Sequence, residues 1–366
     1  MVGDRATAAL YRAWPVVLVY MAVRGLGLLV LSLWAAVVGS NPHQLLAGRW
    51  DSLWYMRIAR FGYGWQVELA DGAVHSNLAF FPLLPWLERV LVTVSPLSYG
   101  DAGLTVSWVA SVLAAWGIYL IAERLYGPRA GCYAVMLWAA MPVGIVQSMA
   151  YSESLFTALA AWALYAVLRR QWVAAGLLAV LAGLTRPFGM AVVAAVVVAA
   201  LVTCVRERKL SWQPVVGALL APWGTAGYVL WVGWYTGGGI FGYLDVQGQW
   251  NNGFDAGLNF VQLIGSTFTA FPAVLGGVGM VLGLGAVAWL CLSCVRQRQP
   301  MALLAYWVVT VALAFGTSGY FGSKPRFLVP AFVLFFPLAV QLARARAGVA
   351  VAVAATAVLV SAVFGA

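Results

Sequence analysis

A single acid set among aromatic residues is the first feature of chemical interest in this sequence. It lies in RWDSLWYMRIARFGY, residues 49–63, between two strongly apolar segments. Wound at about 100° per residue, the stretch forms an amphipathic helix with Trp50, Trp54, Tyr55, Ile58 and Phe61 on one arc. Ser52 and Arg60 fall on the opposite side and Arg57 at the edge, whereas Asp51 falls among the rings. A carboxylate on an apolar face is poorly hydrated, which raises its pKa and its basicity. Such a group can take the proton of a hydroxyl as a general base. Its ordinary alternatives are to cap the helix or to pair with Arg49.

Other charged residues stand in equally apolar surroundings. Glu153 lies in Tyr151-Ser152-Glu153-Ser154 at the head of an apolar segment, where it could cap a helix beside the positive end of its dipole. Arg186, in Thr185-Arg186-Pro187, is an ionisable residue at membrane depth and a functional candidate for that reason; pairing with Glu153 is its structural alternative. Together with Lys324 and Arg326 it could hold a phosphate. Trp50, Trp54, Tyr55, Phe61, Tyr63 and Trp65 could pack against sugar faces or form an interfacial aromatic belt. His75, Glu153, Trp250 and Asn251 complete the candidate sugar- or acceptor-binding set. Cys291 and Cys294 have CxxC spacing but no second pair or histidine cluster, so they read as small packing residues. No metal site and no cofactor is expected, and no phosphate-binding glycine loop or dinucleotide fingerprint is present.

The elements that must position these residues are membrane helices. Of 366 residues, 63% are hydrophobic and only 9% charged, with mean hydropathy +0.90; a soluble domain averages about 25% charged. Eleven apolar segments are expected, near 14–38, 102–122, 131–149, 154–168, 172–185, 188–205, 214–235, 272–294, 301–317, 327–343 and 348–365. With the N-terminus in the cytoplasm, Arg5, Arg12, Arg124, Arg129, Arg169, Arg170, Arg206, Arg208, Lys209, Arg296, Arg298, Arg344 and Arg346 fall inside, 13 of the 21 basic residues. That obeys the positive-inside rule, and it accounts for the net charge of +10 without a nucleic-acid partner.

The same orientation places residues 39–101, 236–271 and 318–328 outside. Leu78 to Val94, interrupted by Pro82, Pro85, Glu88 and Arg89, reads as a juxtamembrane helix. The acids Glu68, Asp71, Glu88, Asp245 and Asp255 read for the most part as solvated loop charges. Segment 172–185 is short for a bilayer core of roughly 30 Å. The turn that follows it, carrying Arg186, would therefore lie below the outer surface, where irregular backbone needs a cavity or protein around it.

Outside the membrane neither ATP nor a nucleotide sugar is at hand, so a sugar transferred there must come from a lipid-linked donor. A phosphate leaving group needs cations but no acid catalyst, so one base suffices; a glycosidase needs two carboxyl groups. At this point RWDSLWYMRIARFGY (49–63), NLAFFPLLP (77–85), YSESLF (151–156), LTRPFG (184–189), QWNNGF (249–254) and KPRFL (324–328) resemble the PIG-V mannosyltransferases, within the GT-C integral-membrane glycosyltransferases. The resemblance touches the chain in short blocks from 49 to about 328. It implies one all-α, GT-C-like transmembrane domain over 1–366, with 39–101 as the extracytoplasmic catalytic loop and 236–271 as a second outer loop. It implies metal-independent, inverting transfer of mannose from a polyprenyl-phosphate donor in the cell membrane, with Asp51 as the motif carboxylate. The acceptor, whether lipid, glycan or protein, is left open. GT-C relatives often carry two adjacent acids in the first loop, whereas Asp51 is followed by Ser52. A transporter of lipid-linked sugar, with Arg186 and Glu153 on its path, is the alternative reading.

Overall fold

The computed structural model describes residues 2–364 except Asp71, Ala270 and Tyr320, with no account of the side chains of 2–13 and Phe321. Asp71 and the side chains of Arg5 and Arg12 thus lie outside the described residues. Among the described residues the architecture is all-α apart from an isolated bridge between Phe254 and Thr317 and one antiparallel hairpin, β1 (Gln66–Glu68) with β2 (Val74–Ser76), in which Val67 pairs with His75. Helix α1 (Val2–Val38) leads into two short outer helices, α2 (Pro42–Ala47) and α3 (Asp51–Phe61). After the hairpin come α4 (Leu83–Val94), α5 (Tyr99–Tyr126), α6 (Pro128–Ala139), α7 (Ser152–Leu168), α8 (Trp172–Gly183) and α9 (Gly189–Glu207). Helices α10 (Trp212–Leu220) and α11 (Trp223–Thr236) make one segment bent at Pro222, followed by α12 (Gly242–Gln249) and α13 (Leu258–Thr267). The chain continues through α14 (Ala273–Arg296), α15 (Met301–Gly316), α16 (Lys324–Phe327), α17 (Phe336–Arg344) and α18 (Ala347–Phe364).

Among the described residues six segments are long and apolar enough to cross a bilayer: Trp14–Val38, α5, α9, Trp212–Thr236, α14 and α18. Helices α7, α8, α15 and the segment Phe332–Arg344 are apolar but shorter. The eleven expected segments are therefore not eleven equal spans; besides 214–235, interrupted at Pro222, two more are broken. Segment 131–149 stops as α6 at Ala139, ahead of Pro142, and resumes only as a 3₁₀ turn over Gly144–Ser148. Segment 327–343 likewise starts with a 3₁₀ turn, Phe332–Phe335, before α17.

The break after α6 exposes carbonyl groups that a helix would have used, and buried carbonyls need donors. Side chains supply them. Arg24 donates to the Ala139 carbonyl (3.3 Å) and to Ser148 Oγ (3.2 Å), and Gln147 donates to the Trp138 carbonyl (2.8 Å). Ser361 Oγ donates to the Met141 carbonyl (2.7 Å), and Tyr20 donates to the Gln147 side chain (3.1 Å). The segment leading to Tyr151 and Glu153 is thus fixed from α1 and α18.

The bundle core is built by α5 against α6 and α7, α7 against α8, and α9 against α15. Helix α11 lies so close to α8 that a Cβ on Gly224 would collide with the Val180 carbonyl, so only glycine permits the contact. The outer elements are clipped onto this core by polar contacts. Tyr228 of α11 donates to the Phe80 carbonyl (2.7 Å), Leu83 N to the Leu184 carbonyl (2.9 Å) and Ala150 N to the Leu46 carbonyl (2.9 Å). Asn77 binds both sides of the 62–64 turn, accepting from Gly64 N and donating to the Gly62 carbonyl, each at 3.1 Å.

Candidate active site

The site starts at the head of α3. Trp50 has φ +53° and ψ −125°, a backbone conformation that non-glycine residues rarely adopt. Ser52 Oγ fixes the turn, donating to the Arg49 carbonyl (2.7 Å) and accepting from Arg49 N (3.1 Å). Strain of this kind persists only where the surroundings over-determine it, and it clusters at functional sites. Its effect here is to set Asp51 in the first turn of α3, at the positive end of the helix.

The buried face of α3 is Ser52, Tyr55, Ile58 and Ala59, which corrects the arc read from periodicity. Ser52, expected on the polar side, is fully buried, whereas Trp50 and Phe61 are 62% and 72% exposed. Beside a membrane an apolar side chain gains little by turning inward, and a small residue lets the helix approach closely. Tyr55 anchors that face, its hydroxyl 2.8 Å from Ser152 Oγ at the start of α7.

Asp51 is one end of a chain of alternating charges. Its Oδ2 meets Arg326 Nη1 at 2.7 Å, Arg326 Nε lies 3.8 Å from Glu153 Oε1, and the same oxygen meets Arg186 Nη1 at 2.6 Å. Burial deepens along the chain: the Asp51 side chain is 24% exposed and that of Glu153 only 1%. Burial works against the Arg326 charge, but Asp51 and Glu153 outweigh it and hold this guanidinium above the ordinary arginine range. The rings of Tyr151 and Phe327 flank Arg326 at 5.3 and 5.4 Å, and Phe327 also faces Arg186 at 5.5 Å. Four residues from four separate parts of the sequence therefore form one neutral cluster, with a carboxylate at its open end and two cations behind.

Next to it lies an aromatic cluster. Trp54 meets Trp65, Phe80 and Trp250 at 4.8, 5.5 and 4.9 Å between centroids, and Tyr55 meets Phe80 edge-on at 5.3 Å. His75 stacks on Trp250 at 4.1 Å, and Trp250 Nε1 donates to the Ser76 carbonyl (3.0 Å). Trp54, Tyr55, His75 and Trp250 are thus brought together. Trp50 stands apart under the Arg49 guanidinium (3.7 Å), and Asn251 is exposed, its carbonyl accepting from Ser318 Oγ (2.9 Å).

Lys324 takes another direction from Arg326. Its ammonium donates to the carbonyls of Ala314 (3.4 Å) and Thr317 (2.5 Å) at the end of α15, and burial lowers its pKa. Asp255, read as a loop charge, accepts from Gly257 N and Asn259 N (2.9 Å each) at the start of α13. Glu88 departs furthest from its reading as a solvated charge. It is fully buried, neither carboxyl oxygen has a partner, and a Cβ on Gly103 would lie 2.8 Å from Oε1. Its place four residues after Leu84, on the buried face of α4, was the available signal. Among the described residues no group of three or more His, Cys, Asp or Glu could hold a metal ion.

The family model of dolichyl-phosphate-mannose-protein mannosyltransferases matches residues 78–231, a stretch that includes Glu153 and Arg186 but neither Asp51 nor Arg326. No curated protein matches the sequence. The crystal structure of ArnT from Cupriavidus metallidurans bound to undecaprenyl phosphate is similar with a TM-score of 0.50 at 15% identity, over 80% of this chain and 54% of ArnT. The apo oligosaccharyltransferase of Archaeoglobus fulgidus is similar with a TM-score of 0.51 at 13% identity, over 94% of this chain and 56% of that enzyme. The chain spans about half the length of these neighbours. It is a multi-pass membrane protein with the GT-C fold of integral-membrane glycosyltransferases.

Proposed function

We propose that the protein is a glycosyltransferase of the PIG-V kind, which transfers a sugar, mannose by that resemblance, from a polyprenyl-phosphate donor to an acceptor hydroxyl. The reaction takes place on the extracytoplasmic face of the cell membrane, with the N-terminus inside. The observation that carries this reading is the Asp51–Arg326–Glu153–Arg186 cluster, an accessible carboxylate backed by two cations. The undecaprenyl phosphate bound by ArnT belongs to the chemical class proposed here as leaving group. The segregation of basic residues supports the orientation.

The residues divide the work as follows. Arg326 and Arg186 meet the donor phosphate and stabilise the charge that develops on it. Asp51 takes the proton of the acceptor hydroxyl. The acceptor oxygen forms the new bond to the anomeric carbon as the carbon–phosphate oxygen bond breaks, its electron pair leaving with the polyprenyl phosphate; attack from the opposite face inverts the centre. The aromatic cluster around Trp54 and Trp250 forms the wall of the sugar or acceptor subsite.

Lipid and glycan profiling of a deletion strain tests the proposal. A glycosylated product should disappear, return with the wild-type protein and fail to return with Asp51→Asn. Restoration by Asp51→Asn would overturn it.

A further inference from the structure

The contact between Asp51 and Arg326 sets two roles of the proposed reaction against each other. A carboxylate 2.7 Å from a guanidinium has one oxygen engaged and is not free to meet an acceptor hydroxyl through it. A phosphate that meets this guanidinium from the Asp51 side, the more accessible end of the cluster, competes with Asp51 for Nη1. The two interactions compete for one group.

The surroundings let Arg326 change partner without leaving its place. Its Nε remains beside Glu153, which is buried and held on its other side by Arg186 at 2.6 Å. The Asp51 end is the more accessible one. Glu153 is the fixed member and Asp51 the releasable one.

Charge accounting favours the same exchange. The cluster of two acids and two arginines is neutral. A phosphodiester donor adds one negative charge. During transfer Asp51 loses its charge by protonation and the departing phosphate gains a second one. Arg326 thus stands between the group that gives up charge and the group that acquires it.

We propose that Arg326 is a cation with two alternative partners, holding Asp51 until the phosphate of a polyprenyl donor takes its place, so that the donor itself sets the base free. This rests on the glycosyl-transfer reading above. It orders the reaction, donor before acceptor, and keeps the base idle in a protein without donor.

The test measures undecaprenyl phosphate binding to the full chain in detergent by isothermal titration. Asp51→Asn, which removes the competitor, should bind about tenfold more tightly than wild type. Arg326→Gln should bind weakly, and adding Asp51→Asn to it should change nothing further. Arg326→Lys keeps the charge without the planar fork and should retain binding with a smaller Asp51→Asn effect. If Asp51→Asn leaves affinity unchanged while binding still depends on Arg326, the exchange is wrong and the transferase reading stands. The exchange is also overturned if the tightening persists without Arg326, since it is then a through-space effect. If wild type does not bind the lipid at all, the transferase reading falls and the exchange with it.

Discussion

The His75 imidazole lies nearly parallel on the Trp250 indole, 4.1 Å between centroids and 16° between planes. This pair ties the chain just after α12 to the β-hairpin, and the Trp250 hydrogen bond to the Ser76 carbonyl reinforces it. Trp250→Ala removes that bond and the contacts to Trp54, Phe80 and His75. Loosening of the hairpin against the end of α12 by about 2 kcal/mol is expected. Faster amide exchange over residues 74–80, with the transmembrane helices unchanged, is the measurement that checks it.

Asp51→Asn keeps the shape of the side chain and removes its basicity. Turnover with a polyprenyl-phosphate sugar should fall by about 10²- to 10⁴-fold. The protein should remain folded, because Asp51 sits at the accessible end of the cluster. Single-turnover kinetics with saturating donor would separate this loss from any change in affinity.

Glu153 is expected to behave differently. It is buried against Arg186, and its removal leaves a cation without its partner. Glu153→Ala should destabilise the protein by about 3–5 kcal/mol. Pairing it with Arg186→Ala should cost less than the sum of the two single changes. Thermal unfolding of the detergent-solubilised variants reads both effects.

Glu88 gives a pH signature. Burial without a partner raises its carboxyl well above the ordinary range. The folded protein retains a proton there that the unfolded chain releases near the usual value. The stability this group contributes is complete below that value and is lost as pH rises through the folded one. Glu88→Gln has no proton to lose, so its unfolding midpoint should stay flatter than wild type as pH rises above the ordinary carboxyl range. A wild-type slope retained in Glu88→Gln would show that some other group sets it.

Much of this site is visible in the sequence because charge is conspicuous in an apolar chain. Asp51, Glu153, Arg186 and Arg326 each stand out in that way, and three-dimensional proximity is what the sequence withholds. Lys324 and Arg326 are two residues apart, yet one meets the end of α15 and the other the acids. That divergence depends on where α15 stops, which no local pattern encodes. The face of α3 was misjudged because periodicity measures apolarity, and apolar residues there face outward as well as inward. Pro142 announced the break after α6, but the apolar run continues across it and masks the irregular backbone.

That break has a consequence for how the chain is made. Arg24 lies near the middle of the first span, while its acceptors, Ala139 and Ser148, are more than a hundred residues downstream. A central arginine opposes insertion by about 2.5–3.5 kcal/mol, and that opposition is unrelieved until α6 has been synthesised. The first helix therefore carries an unpaired charge until a later segment supplies its acceptors. Arg24→Leu should make the isolated first helix insert more efficiently, as reported by a glycosylation tag. It should also lower the thermal stability of the complete protein, so that one substitution moves biogenesis and folding in opposite directions.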